Sequence, residues 1–119
     1  MKFPLTTLRE FHRFRNVEAN EAVEALGALA QESRLAIFRL LVRQGPDGLP
    51  AGDVAAAVGI PPATLSFHLA QLGHAGLVRS RREGRRIIYS ADYDGMQALL
   101  AFLTDKCCQP ARGRGARKC

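Results

Sequence analysis

The chain has 119 residues, 47% of them apolar, and a net charge of +6 from 17 Lys and Arg against 11 Asp and Glu. That is the length of one domain with enough apolar content for a core, and it leaves no room for a catalytic domain beside a regulatory one. No apolar run reaches the ~18–20 residues of a membrane span, and the N-terminus lacks the apolar stretch of a secretion signal, so the expectation is a cytoplasmic protein with no membrane partner.

Residues 1–20 read either as a loose leader or as a short amphipathic helix, with Leu5, Leu8 and Phe11 spaced by threes. From Glu21 a first helix is expected on Ala22, Leu26 and Leu29. A second begins near Glu32–Ser33, carries Leu35, Phe38, Leu41 and Val42, and stops at Gln44-Gly45-Pro46. Residues 47–52 are a connector rich in turn formers. Asp53 is an N-cap for a short third helix, Val54–Val58, which Gly59 ends. Pro62 suits the first turn of a fourth helix, where its missing N–H costs nothing, and Leu65, Leu69 and Leu72 give that helix one apolar stripe. The third and fourth helices form a helix-turn-helix. Leu77–Arg82 and Arg85–Ala91 then read as strands of a hairpin turning at Glu83-Gly84. Met96, Leu99, Leu100 and Leu103 mark a fifth helix that runs to about Asp105. The order is α-α-α-α-β-β-α, a mainly α (α+β) chain. It divides into residues 1–20, a body of 21–106, and a basic tail of 107–119 expected to be flexible.

The charge is unevenly placed. Residues 1–15 carry +3 and residues 109–119 carry +4, while residues 16–108 sum to −1. Inside that near-neutral body, Arg79, Arg81, Arg82, Arg85 and Arg86 crowd the hairpin with a single acid, Glu83. A charge run is usually a solvated face. This one follows a helix-turn-helix, where arginines hold phosphates or enter a minor groove, and Arg82, Arg85 and Arg86 near the tip are best placed. The fourth helix opposes its stripe with Ala63, Thr64, Ser66, His68 and Gln71. These side chains are small or hydrogen-bonding, and no charged residue occurs from Ala63 to Gly73. An ordinary wet helix surface usually carries Glu and Lys. A carboxylate-free face suits the major groove of double-stranded DNA. His74, at a helix end, reads simply as a partner for the last carbonyls. No Ser/His/Asp arrangement, carboxylate pair or phosphate loop asks for an enzyme, and no cofactor is required.

The stretches ALGALAQESRLAIFRLLV and GDVAAAVGIPPATLSFHLAQLGHAGLVRSRREGRRIIYSA resemble the ArsR/SmtB family of metal-sensing repressors, over about Glu21 to Leu103. The resemblance implies a winged helix-turn-helix and a homodimer built from the first and last helices. It also implies operator DNA that is bound without inducer and released with it. The recognition helix would be Pro62–His74 and the wing Leu77–Ala91. Many arsenite sensors of the family carry Cys-x-Cys in the third helix, which here has no cysteine; its zinc sensors use Asp and His along the last helix, and Tyr93–Lys106 has no His. The chain instead resembles the arsenite-responsive branch with a C-terminal cysteine site.

All three cysteines, Cys107, Cys108 and Cys119, fall in the last thirteen residues. An odd count argues against a disulfide framework. Trivalent arsenic is thiophilic and favours three thiolates, and soft ligands select soft ions. Lys106 and the basic tail favour the thiolate forms. The expected metal ligands are therefore Cys107, Cys108 and Cys119, with arsenite as inducer and Sb(III) or a trivalent organoarsenical as alternatives. Two rival readings stand beside this one. The first is a thiol redox sensor joining Cys108 to Cys119. The second is a metal-binding or protein-interaction module without a DNA role.

Overall fold

The computed structural model describes residues 17–106 and residue 108. The leader up to residue 16, Cys107, Cys119 and the rest of the tail lie outside the described residues, so the expectations for them are not addressed by the fold.

Helix α1 (Ala19–Leu29) buries a small-residue stripe, Ala22, Ala25 and Ala28. Its start is closed by the Glu21 carboxylate, which accepts from the Glu18 N–H at 2.9 Å. The expected contact residue Leu26 is instead 41% exposed. Helix α2 (Glu32–Gln44) is capped by the Gln31 side chain, which accepts from the Arg34 N–H at 2.8 Å. It buries Ile37, Phe38 and Leu41, and it leaves Leu35 in solvent, contrary to expectation.

The third helix starts earlier than its sequence suggests. Helix α3 spans Ala51–Val58 with Pro50 at the N-cap, so Asp53 lies in the first turn and is not the cap. An acid there still complements the positive helix end. The segment before it, Leu49–Pro50, is a short strand β1 that the hydrophobic pattern missed. Gly59 ends α3 in the left-handed region at φ 70°, as expected. Pro62 opens helix α4 (Pro62–His74).

Strands β2 (Val78–Glu83) and β3 (Arg86–Ala91) form an antiparallel hairpin, and β1 pairs with the other edge of β3, giving the order β1-β3-β2. The turn is Gly84-Arg85, one residue later than expected, with Gly84 at φ 64°. Asp92 caps helix α5 (Tyr93–Leu103), accepting from the Gly95 N–H at 3.0 Å. The Tyr93 hydroxyl donates to the Val42 carbonyl at 3.0 Å and fastens α5 to the end of α2. Ile37, Leu41, Val54, Leu65, Leu72 and Leu77 are the largest fully buried side chains among the described residues, and they join α2, α3, α4 and the start of the hairpin in one core. The arrangement is a winged helix-turn-helix, with α3 and α4 as the motif and β2–β3 as the wing.

Gly95 sets how closely α5 approaches the turn after α4. A Cβ there would run into the Gly76 carbonyl oxygen, which is backbone and cannot rotate away. The substitution Gly95→Ala is expected to destabilise the fold by about 1–3 kcal/mol through overpacking. Urea unfolding of the two proteins checks this, and an unchanged midpoint would show that the crossing is looser than described.

Candidate nucleic-acid interface

Helix α4 is divided by what it buries. Leu65, His68, Leu69 and Leu72 face the core, while Ala63, Thr64, Ser66, Phe67, Ala70 and Gln71 are exposed. At about 100° per residue, Ala63, Thr64, Phe67, Ala70 and Gln71 share one side. The small and hydrogen-bonding residues expected on the outer surface are therefore there, with one correction and one addition.

The correction is His68. It is only 8% exposed and does not belong to the outer surface. Its spacing from Leu65 and Leu72, three and four residues, places it on the flank of the buried stripe. The Arg34 Nη1 donates to His68 Nδ1 at 3.2 Å, and Arg34 Nε donates to the Ala28 carbonyl at 2.7 Å. An arginine only donates, so Nδ1 must accept and the imidazole is neutral with its proton on Nε2. Burial lowers the His68 pKa first, and the Arg34 charge lowers it further. Arg34 thus ties the C-terminal end of α1 and the first turn of α2 to the middle of α4. The addition is Phe67, 58% exposed at the centre of the outer surface. Its spacing of four from both Ala63 and Gln71 is the signal that places it there.

The wing is also sorted by its register. Arg82 lies opposite Ile87, Ser80 opposite Tyr89 and Val78 opposite Ala91, all on one face of the ribbon. Arg79, Arg81, Glu83 and Arg86 take the other face, and Arg85 sits in the turn. Arg81 is already engaged: its Nε donates to Glu83 Oε2 at 2.8 Å, its Nη2 to the Asp47 carbonyl at 2.8 Å and its Nη1 to the Pro46 carbonyl at 3.3 Å. It braces the wing against the α2–β1 loop and neutralises the wing's one acid. Arg79, Arg82, Arg85 and Arg86 are exposed and form no ion pair among the described residues. A cleft of about 420 Å³ lies between α4 and the wing, lined by Ser66, Ala70, Arg79, Ser80 and Tyr89 and by no acid. His74 stands in the last turn of α4 and is exposed.

Of the expected thiol ligands only Cys108 is described. It follows α5 in a turn where Lys106 (φ 62°) and Cys108 (φ 63°) are both left-handed. Cys108 is disulfide-bonded, so in this state its sulfur is not a thiolate. Among the described residues no group of three or more His, Cys, Asp or Glu is placed to hold a metal ion. No helix among them is long and apolar enough to cross a membrane.

A two-helix motif with a carboxylate-free outer surface and a basic wing defines the class: a winged helix-turn-helix transcriptional regulator. Comparison with known proteins agrees. A family profile described as a helix-turn-helix domain matches residues 29–81. The regulator YgaV of Escherichia coli is 32% identical over 76% of this chain and 89% of its own. NmtR of Mycobacterium tuberculosis is 43% identical over 69% of this chain and 65% of its own. A domain from Mycobacterium bovis, described as a homodimeric winged helix-turn-helix DNA-binding domain of a possible ArsR-family regulator, superposes with a TM-score of 0.60 at 33% identity, covering 73% and 81% of the two chains. The chain belongs to the ArsR/SmtB family of DNA-binding transcriptional regulators.

The His68 environment has a pH signature. The depressed pKa keeps the folded ring neutral, while the unfolded ring takes a proton below its ordinary value near 6.5. The unfolded state then binds more protons, so stability is full above that pH and declines as the pH falls below it. Urea midpoints from about pH 5 to pH 8 should show this decline in the wild type and lose it in His68→Gln, which keeps an acceptor for Arg34. Identical pH profiles for the two would mean that His68 titrates normally.

Proposed function

We propose that this chain is a homodimeric repressor that grips double-stranded operator DNA with α4 and the wing, and releases it when trivalent arsenic binds Cys107, Cys108 and Cys119. The observation that carries the DNA part is the outer surface of α4: Thr64, Ser66 and Gln71 with no carboxylate, flanked by exposed Arg82, Arg85 and Arg86. The side chains on α4 reach base edges, and the arginines hold phosphates and fix the register on the duplex. Dimerisation is supported by a second surface. Helix α1 exposes Val23 and Leu26, and α5, which packs beside it, exposes Leu100, Phe102 and Leu103. A twofold contact between these apolar faces sets two copies of α4 against two half-sites of a dyad operator. The homodimeric state of the Mycobacterium bovis domain supports the same assembly.

The inducer reading rests on donor chemistry and place. Three sulfurs occur at and beyond the end of α5, the helix whose apolar face would meet the partner. Three thiolates suit As(III), and Sb(III) by the same softness. Binding there would join α5 to its tail or to the partner and favour a dimer whose α4 helices no longer match the groove spacing. A coupling of ~1–3 kcal/mol is typical of such linkage and changes promoter occupancy several-fold or more. The disulfide at Cys108 must be reduced before that sulfur can ligate. The same disulfide favours a second reading, in which thiol oxidation is itself the inducing event.

Anisotropy of a labelled duplex from the protein's own upstream region separates these readings. Under reductant at fixed salt, arsenite should release the wild type and leave Cys107→Ser and Cys108→Ser bound, with Cys119→Ser testing the third sulfur. Each of Arg82→Ala, Arg85→Ala and Arg86→Ala should make the salt dependence shallower by about one unit of slope. Release by peroxide alone, with no response to arsenite under reductant, would favour the redox reading. Duplex binding that ignores salt would contradict the DNA surface.

A further inference from the structure

Phe67 is the one large apolar side chain on the outer surface of α4. It stands almost opposite the buried stripe and at the centre of the exposed side, with Thr64, Ala70 and Gln71 beside it. Its ring touches the His68 ring at a centroid distance of 5.7 Å and a tilt of 59°. His68 is itself held by Arg34, so the aromatic ring rests on a fixed neighbour. The other exposed large apolar side chains among the described residues lie on other elements: Val23 and Leu26 on α1, Leu35 on α2, Ile87 on the wing, and Leu100, Phe102 and Leu103 on α5. Its helix neighbours Ser66 and Ala70 line the acid-free cleft between α4 and the wing, whose other wall includes Arg79.

We propose that Phe67 is a specificity-determining residue that packs on the C5-methyl group of a thymine in the major groove, one in each operator half-site. The inference rests on the DNA-binding reading of α4 given above. Its chemistry is selective. Base edges in the major groove are polar donors and acceptors, except for the thymine methyl group. A phenyl ring has nothing to exchange with the polar edges, and covering them would strip their water without replacing it. Against a methyl group the same ring gains buried apolar area. Ala63 and Ala70 on the same side leave room for it to approach.

The test starts from the tightest duplex selected by the reduced wild-type protein from a random library. Failure to enrich any sequence would count against the DNA-binding reading itself, before Phe67 is in question. With an enriched duplex, each thymine is replaced in turn by deoxyuridine, which removes the methyl group and leaves every hydrogen-bonding group in place. The wild type should bind about fourfold more weakly when one particular thymine of a half-site is replaced, and about fifteenfold more weakly when both symmetry mates are replaced. Phe67→Ala should bind the thymine and deoxyuridine duplexes equally, with an unchanged melting temperature because the side chain is exposed. Phe67→Leu, which keeps an apolar side chain, should retain a preference for thymine. A flat profile across all thymines, or a Phe67→Ala protein with the wild-type ratio, would overturn the assignment.

Discussion

Leu65, His68, Leu69 and Leu72 clamp α4 against α2 and α3, and what the helix can offer a partner follows from that clamp. Burying these four side chains turns Thr64, Phe67 and Gln71 outward together. The three leucines supply most of the burial, each about 1.5–3 kcal/mol relative to an exposed position. His68 contributes direction more than energy, because its one engaged nitrogen must meet Arg34. A helix held by leucines alone could rotate slightly about its axis at little cost. The hydrogen bond from a charged donor fixes the rotation and, with it, which residues face outward.

The same arginine links parts of the chain that have different tasks. Through the Ala28 carbonyl it reaches the end of α1, whose other side exposes Val23 and Leu26. Through His68 it reaches the recognition helix. On the opposite flank Arg81 plays a comparable part, pinning the wing to the loop after α2 by two carbonyls and leaving its neighbours Arg79, Arg82, Arg85 and Arg86 for an anion. Ion pairs on the surface add little stability. Here the Arg81–Glu83 pair matters because it removes the only negative charge from a positive ribbon.

Much of this was legible in the sequence, for physical reasons that can be named residue by residue. The leucine stripe of α4, the proline at its start, the glycine that ends α3 and the β-branched run at Ile87-Ile88 each reflect a local preference that the fold obeys. The failures are equally specific. Leu49–Pro50 pairs with β3 only because the chain returns there, and two residues carry no alternation to read. Pro50 caps α3 through its extended backbone, so no side-chain signal marks the helix start, and Ala51-Gly52 read as connector. His68 reads as a wet-surface residue from local sequence because its partner, Arg34, is thirty-four residues away. Leu26 and Leu35 have apolar spacing yet lie exposed, since a stripe shows which residues want to be covered and not by what. The cysteine cluster is visible in the sequence alone, and a disulfide at Cys108 is one of the readings it leaves open.

In this arrangement the outer surface of α4 and the wing meet DNA, while α1 and α5 meet a second copy. Amide and side-chain NMR shifts of the reduced, isotopically labelled protein, recorded with and without a selected duplex, test this most directly. The large shifts are expected on Thr64, Ser66, Phe67, Gln71 and the arginines of the wing, with Arg81 less affected than Arg82, Arg85 and Arg86. Shifts concentrated on Val23, Leu26, Leu100 and Leu103, with α4 unmoved, would contradict it.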